Sequence, residues 1–493
     1  MKKIIALLLA CVMVLGLFAA CGNTEAPAET KAPAAETPAT PAETQAPAAA
    51  EVPTITWVSV GGGMPGNYES WAATVNAYLE EKIGVHVKME IIDWGSWGER
   101  RNVLVQTGAD YDIMFAPGSD LVNDSTMGAC ADIEPFLAEV PGLTDLIPAA
   151  YFDACRVNGV LYGVPCYKDS SMTNYFVWTK DIVEASFPEY TEAHTLAEIY
   201  EGLKACVEAN PGEIGLSLAS NGFPPITGQK YDSAGLPDCG IGIAYEGGTE
   251  FVAVWEQADV QADLAVLSEM YANGLINSDA PVLDTFEGAC IVGVAQGWPS
   301  AAKGWGEGRG CEVVVSQYED TVVSTDTVRG SVLTINANSA HKLECMKLIE
   351  LVNTDTQLRD WLWYGEEGYN YEYVEEDGVK KVSKLNTEWT MAAYTQGTFF
   401  IATPEVGSNG YVEIMALNEA ATVSPAMGFA PDTSAIADTL ANLAAIRANY
   451  ASMFSTGADI SMVEPMMAEL RANGFDECLA EINAQYQAWL ANQ

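Results

Sequence analysis

Positive charge is scarce in this chain: 23 Lys and Arg stand against 67 Asp and Glu, a formal charge of −44. Such a surface favours solubility and excludes nucleic acid as a partner. Histidine is scarcer still. His86, His194 and His341 are scattered, none with a Cys or His neighbour at ligand spacing, so no metal site and no cofactor are expected. The 11 cysteines form no Cys-x-x-Cys pair, and their wide, irregular spacing from Cys130 to Cys478 excludes a zinc knuckle or a tight disulfide framework. Most read as small buried hydrophobes. The leading apolar run, Ile4 to Phe18, falls short of the roughly 20 residues that span a bilayer as a stable helix.

What that run does have is Lys2 and Lys3 before it and Ala19-Ala20-Cys21-Gly22 after it. A positive start, a short apolar core and small residues at a cleavage point make residues 1–20 a signal peptide. The end resembles a bacterial lipobox, with Phe18 where Leu is usual, which implies acylation of Cys21. From Asn23 to Val52 the chain is Ala, Pro, Glu and Thr without an aromatic residue. It cannot bury enough surface to offset its ordering entropy, so residues 21–52 are expected to form a mobile tether. The remainder, 53–493, exceeds what one core usually supports, and two lobes follow.

Ile55 to Val60 reads as a strand, Trp71, Val75, Tyr78, Leu79 and Ile83 recur at helix spacing up to Gly84, and Val85 to Ile92 alternates as a second strand. This β-α-β pattern implies a parallel sheet. A helix over Arg100–Thr107 and a strand over Tyr111–Ala116 repeat it. Gly61, Gly63 and Gly66, with Glu90 and Asp93 further on, match a dinucleotide fingerprint by spacing, but Pro65 interrupts the turn and export removes the cofactor pool. The loop is instead expected to line a cleft.

Three later runs carry a family likeness: Asn158-Gly159-Val160-Leu161-Tyr162-Gly163-Val164-Pro165, Gly274-Leu275-Ile276-Asn277-Ser278-Asp279, and Gly288 through the strand Ile291–Val294 to Gly297-Trp298. They resemble the extracellular solute-binding proteins of bacterial ABC importers. Gly365, Glu367, Gly368 and Tyr371, then Glu481, Gln485, Trp489 and Leu490, look like the lipoprotein LplA-like carbohydrate group. The resemblance implies an α/β, two-lobed periplasmic-binding-protein-like fold of type II. Lobe 1 would comprise 53–164 and 331–400; lobe 2 would comprise 165–330 and a helical part, 401–493. Hinge crossings are placed near Gly163–Lys168, Arg329–Leu333 and Phe399–Thr403. It implies a monomer that captures a carbohydrate, an oligosaccharide, in an interlobe cleft without turning it over, a membrane permease as partner, and a lipid anchor on the extracellular face of a Gram-positive-type cell.

Sugars present an apolar C–H face and a hydroxyl rim, so aromatic platforms and paired polar groups are the candidates. Trp298 matches the family's strand-end tryptophan. Trp94, Trp97, Trp363 and Tyr364 sit beside turns or glycines; Asn67, Ser119, Asp120, Lys168, Asp169 and Glu367 follow from position. The acid excess leaves room for a cationic ligand on an aromatic box, or for a peptide. A secreted glycosidase would need paired carboxylates such as Glu366 with Glu367 or Asp93 with Glu99.

Overall fold

The computed structural model describes residues 52–408 and 410–492. The signal peptide, Cys21 and all of the tether but Val52 lie outside the described residues. Ten strands build two five-stranded sheets: β1 (Thr54–Gly61), β2 (His86–Asp93), β3 (Ile113–Phe115), β4 (Gly163–Pro165), β5 (Met172–Thr179), β6 (Ile214–Leu216), β7 (Cys290–Gln296), β8 (Val313–Val323), β9 (Val332–Ile335) and β10 (Thr422–Val423). The first sheet has the order β2-β1-β3-β9-β4 and the second β10-β8-β5-β7-β6.

β1 is buried on both faces over Trp57–Gly61, as a strand between parallel neighbours must be. The helix α1 (Tyr68–Ile83) buries Trp71, Val75 and Leu79 on one stripe and ends where Gly84 turns left-handed at φ 68°. Sequence periodicity thus gives the β-α-β start correctly, but the sheet is mixed. β9 runs antiparallel to both β3 and β4 because the chain returns to this sheet from the other lobe. In the second sheet β5 is antiparallel to β7 and β8.

Each sheet has its own core. Trp57, Trp71, Leu79, Ile113, Leu333 and Ile349 belong to the first; Phe176, Trp178, Leu203, Leu264 and Val292 belong to the second. The helices α8 (Ala437–Phe454), α9 (Val463–Ala472) and α10 (Phe475–Leu490) add Leu440, Phe454, Leu470 and Tyr486 to that second core. Earlier helices used below are α2 (Trp97–Thr107), α3 (Ser119–Thr126), α4 (Ala302–Arg309), α5 (Lys342–Thr354), α6 (Thr356–Tyr364) and α7 (Gly410–Ala420).

The chain passes between sheets after Pro165, after Val323, and again between Met391 and Thr422. The passages hold one another. Cys166 N–H donates to Ser331 O (3.0 Å), Phe399 N–H to Tyr167 O (3.1 Å), and Ser331 Oγ to Tyr394 O (2.6 Å). Among the nine described cysteines, all free, Cys311 is exposed and the rest are buried.

Asp232 is buried beside the residue that follows β10, accepting from Ser424 Oγ (2.5 Å) and Ala234 N (2.8 Å). Burial pushes its carboxyl up to about 6, against 3.8 ordinarily. The unfolded chain therefore releases this proton first, and the group's contribution to stability falls as pH rises from about 4 to 6. Asp232→Asn is expected to raise stability at pH 7 by about 2 kcal/mol, from two pKa units at about 1.4 kcal/mol each less some lost hydrogen bonding. Thermal melts would show the gap closing by pH 4; an equal gap at both pH values would contradict a buried charge.

Candidate functional site

The turn Asp93–Ser96 lifts Trp94 off the end of β2, leaving it 51% exposed. Its ring stacks on Tyr394 with centroids 6.3 Å apart and planes 13° from parallel. Tyr394, in the third passage, also meets Phe115 edge-on at 6.0 Å. Next to it lies the first passage. Lys168 Nζ sits 5.9 Å from the Tyr394 ring centroid, within cation–π range, and 2.7 Å from Asp169 Oδ1. Burial, then the Asp169 carboxylate, raise the Tyr394 hydroxyl above its ordinary value.

Asp169 also lines a pocket of about 180 Å³ with Ser171, Thr173, Gln296, Gly297, Trp298, Ile414 and Leu417. Trp298 is half-buried at the end of β7, in extended backbone that starts a short 3-10 turn. The helix α7 closes one wall, held by Ser300 N–H donating to Glu413 Oε2 (2.9 Å) and by Asn418, which bonds Lys168 O and Ser171 N–H. A continuous wall therefore runs from Trp94 of the first lobe, over Tyr394, Lys168 and Asp169 at the passages, to Trp298 of the second. Half-exposed aromatic faces beside an ion pair suit a ligand with both apolar faces and hydroxyls.

Other candidates stand elsewhere. Trp97, the first residue of α2, is buried and packs on Phe115 at 6.0 Å, so it supports the floor under Tyr394 instead of presenting a free face. Tyr364 is buried with its hydroxyl on Thr403 O (2.7 Å). Trp363 packs among Tyr364, Phe399 and Tyr411 at 4.7 to 5.6 Å, behind the third passage. Asn67 donates to Asn370 Oδ1 (2.8 Å) and Glu366 Oε2 (3.3 Å), joining α1 to the loop after α6. Ser119 and Glu367 are exposed, and Asp120 is paired with Arg101 (3.2 Å). None of these lines the Trp298 pocket.

The glycine loop is filled by its own chain. Gly62 N–H donates to Thr390 O (2.8 Å), and a Cβ on Gly61 would lie 2.2 Å from that same oxygen. Glycine at 61 admits that backbone, while Gly63 and Gly66 face open space and Gly61 O accepts from Trp94 N–H (3.2 Å). Of the carboxylate pairs, Glu366 accepts from Ser70 and Asn67, while Asp93 and Glu99 are exposed. Tyr394, Gln296 and Thr173 are members of the wall that no sequence motif announces.

The model of the bacterial extracellular solute-binding proteins matches residues 73–369. The chain belongs to that family. A domain of unknown function matches residues 425–491, the C-terminal helices of this solute-binding protein. It is 25% identical to the carbohydrate ABC transporter substrate-binding protein of Streptococcus pneumoniae serotype 4, over 88% of this chain and 90% of that one. Its fold is that of the N-glycan transport solute binding protein of S. pneumoniae, at TM-score 0.75 and 23% identity, covering 89% and 99% of the two chains. In complex with Man1GlcNAc the same S. pneumoniae protein superposes at 0.63 (22% identity, 89% and 100% covered). With Man5GlcNAc it superposes at 0.59 (22%, 90% and 99%).

Proposed function

We propose that this solute-binding protein is the capture subunit of an ABC importer for a carbohydrate, an oligosaccharide held between Trp94 and Trp298 and passed to a membrane permease. The carrying observation is the wall itself: two half-open tryptophans, one from each lobe, flank the Lys168–Asp169 pair where the passages meet. Stacked sugar faces would lie on the rings and hydroxyls on the ion pair, Gln296 and Thr173. The protein works as a monomer, tethered by acylated Cys21 to the extracellular face of the membrane. The name of the 25% identical relative supports the ligand class. So does the N-glycan transport protein, crystallised with mannose-containing glycans.

Closure is part of the reading. Rigid lobes that turn about a hinge keep their internal fold, so a cleft between them can close on a ligand without refolding either lobe. Contacts from both lobes then shift the population toward the closed form. The test is titration of the full chain with neutral oligosaccharides, peptides and polyamines while watching for cleavage products. Saturable oligosaccharide binding without products is expected, from a membrane fraction that Cys21→Ala empties. Turnover would make the protein an enzyme; binding of peptides or polyamines alone would reassign the ligand.

A further inference from the structure

Gln296 is shared with a second pocket, of about 350 Å³, set where the parallel strands β6 and β7 end. Carboxyl ends of parallel strands commonly collect ligands. Phe286 brings an apolar ring to this pocket, and Asn221 and Gln296 bring amides. Arg309, the last residue of α4, brings a guanidinium. Its Nη1 donates to Val177 O at 2.9 Å. A Cβ on Gly293 would lie 2.2 Å from Nη2 and 3.3 Å from Ser217 Oγ, so the absent side chain is what lets the fork lie against β7 beside a hydroxyl.

In a chain with about three acids per base, most buried or half-buried cations are paired: Arg101 with Asp120 and Asp124, Lys168 with Asp169, Lys230 with Asp263. Among the described arginines without an ion pair, Arg329 and Arg359 spend their donors on several backbone carbonyls. Arg309 spends one, and among the described residues no carboxylate stands within ion-pair distance of it. Distant acids are screened beyond a Debye length of about 8 Å, so the nearby charge decides what the pocket attracts.

We infer that this pocket takes a carboxylate borne on a sugar ring, an acidic unit of the same ligand that lies on Trp298; the inference rests on the carbohydrate reading above. A guanidinium fork matches a planar carboxylate by two parallel hydrogen bonds, and Ser217 and Asn221 complete its rim.

Calorimetry with glucuronate-terminated oligosaccharides and their carboxyl-reduced counterparts isolates the charge, because each pair differs only in a carboxylate against a hydroxymethyl group. The wild-type protein is expected to favour the acid at least about tenfold at low salt, less at high salt. Arg309→Gln should erase that preference while leaving affinity for the neutral partner in place. Because Arg309 also anchors α4, Ser217→Asp is the second variant: it sets a carboxylate beside the intact guanidinium and should erase the preference equally, with an unchanged melting temperature. Equal binding of both partners by the wild type, or a preference that survives both variants, would overturn the acidic site while carbohydrate capture stands. Failure of every oligosaccharide to bind would overturn both.

Discussion

Replacing Arg359 by alanine is expected to cost about 4 kcal/mol of stability and to loosen the third passage. The side chain is fully buried on α6. Nε donates to Thr398 O (2.6 Å), Nη2 to Ala393 O (2.8 Å) and Gly397 O (3.3 Å), and Nη1 to Gln396 Oε1 (3.4 Å). Its guanidinium carbon lies 4.8 Å from the Trp363 ring centroid, within cation–π range. Burial lowers its pKa to about 10, so the charge survives at neutral pH and backbone carbonyls solvate it. Deletion strips those carbonyls of donors, each loss costing about 1 to 3 kcal/mol when buried, and opens a cavity besides. Arg359→Met fills the cavity without donors and should recover only part of the loss; Arg359→Lys should recover more. Urea denaturation measures all three. A loss under about 1 kcal/mol in the alanine variant would show that the segment 393–398 holds itself.

The double variant Trp94→Ala, Trp298→Ala is expected to weaken oligosaccharide binding by about 2 to 4 kcal/mol, roughly 30- to 1000-fold. Each ring supplies a stacking face worth about 1 to 2 kcal/mol, on the scale of aromatic pairs and the area they cover. The two stand on different lobes and line different stretches of the wall, so their effects should add within about half a kcal/mol. Small-angle scattering gives the second readout: saturating ligand should compact the wild type, and the double variant should need far more ligand to reach the same compaction. Additive losses place one platform on each jaw. If Trp94→Ala alone changes nothing with the fold intact, the sugar lies against the second lobe only.

Two tryptophans three residues apart show how far the sequence speaks. Trp94 and Trp97 share a glycine and a polar setting, yet the helix begins at Trp97 and turns it onto Phe115, while Trp94 remains in the turn. Only the helix boundary separates them, and boundaries are the weakest part of a periodicity argument. The start of the chain was legible because Trp71, Val75 and Leu79 obey the helical period and Gly84 stops it. The antiparallel return of β9 was not, since nothing local in Val332–Ile335 records which neighbours it meets. Tyr394 and Arg359 were hidden for the same reason. One lies in an irregular segment brought across by the third passage; the other is a charged residue at a core position, which patterning alone assigns to solvent.

The interleaving of the two lobes has a consequence for how the molecule is made. The first sheet lacks its penultimate strand until residues 332–335 are synthesised, by which time four of the second sheet's strands, those around β5, have already been made. The second core waits longer, for Phe475, Ile482 and Tyr486 of α10. Neither half is an independent unit of synthesis, and contacts spanning some three hundred residues are slow to find. A nascent chain of this design stays loose until residues 475–486 are made, the condition in which a polypeptide can be threaded through a narrow channel.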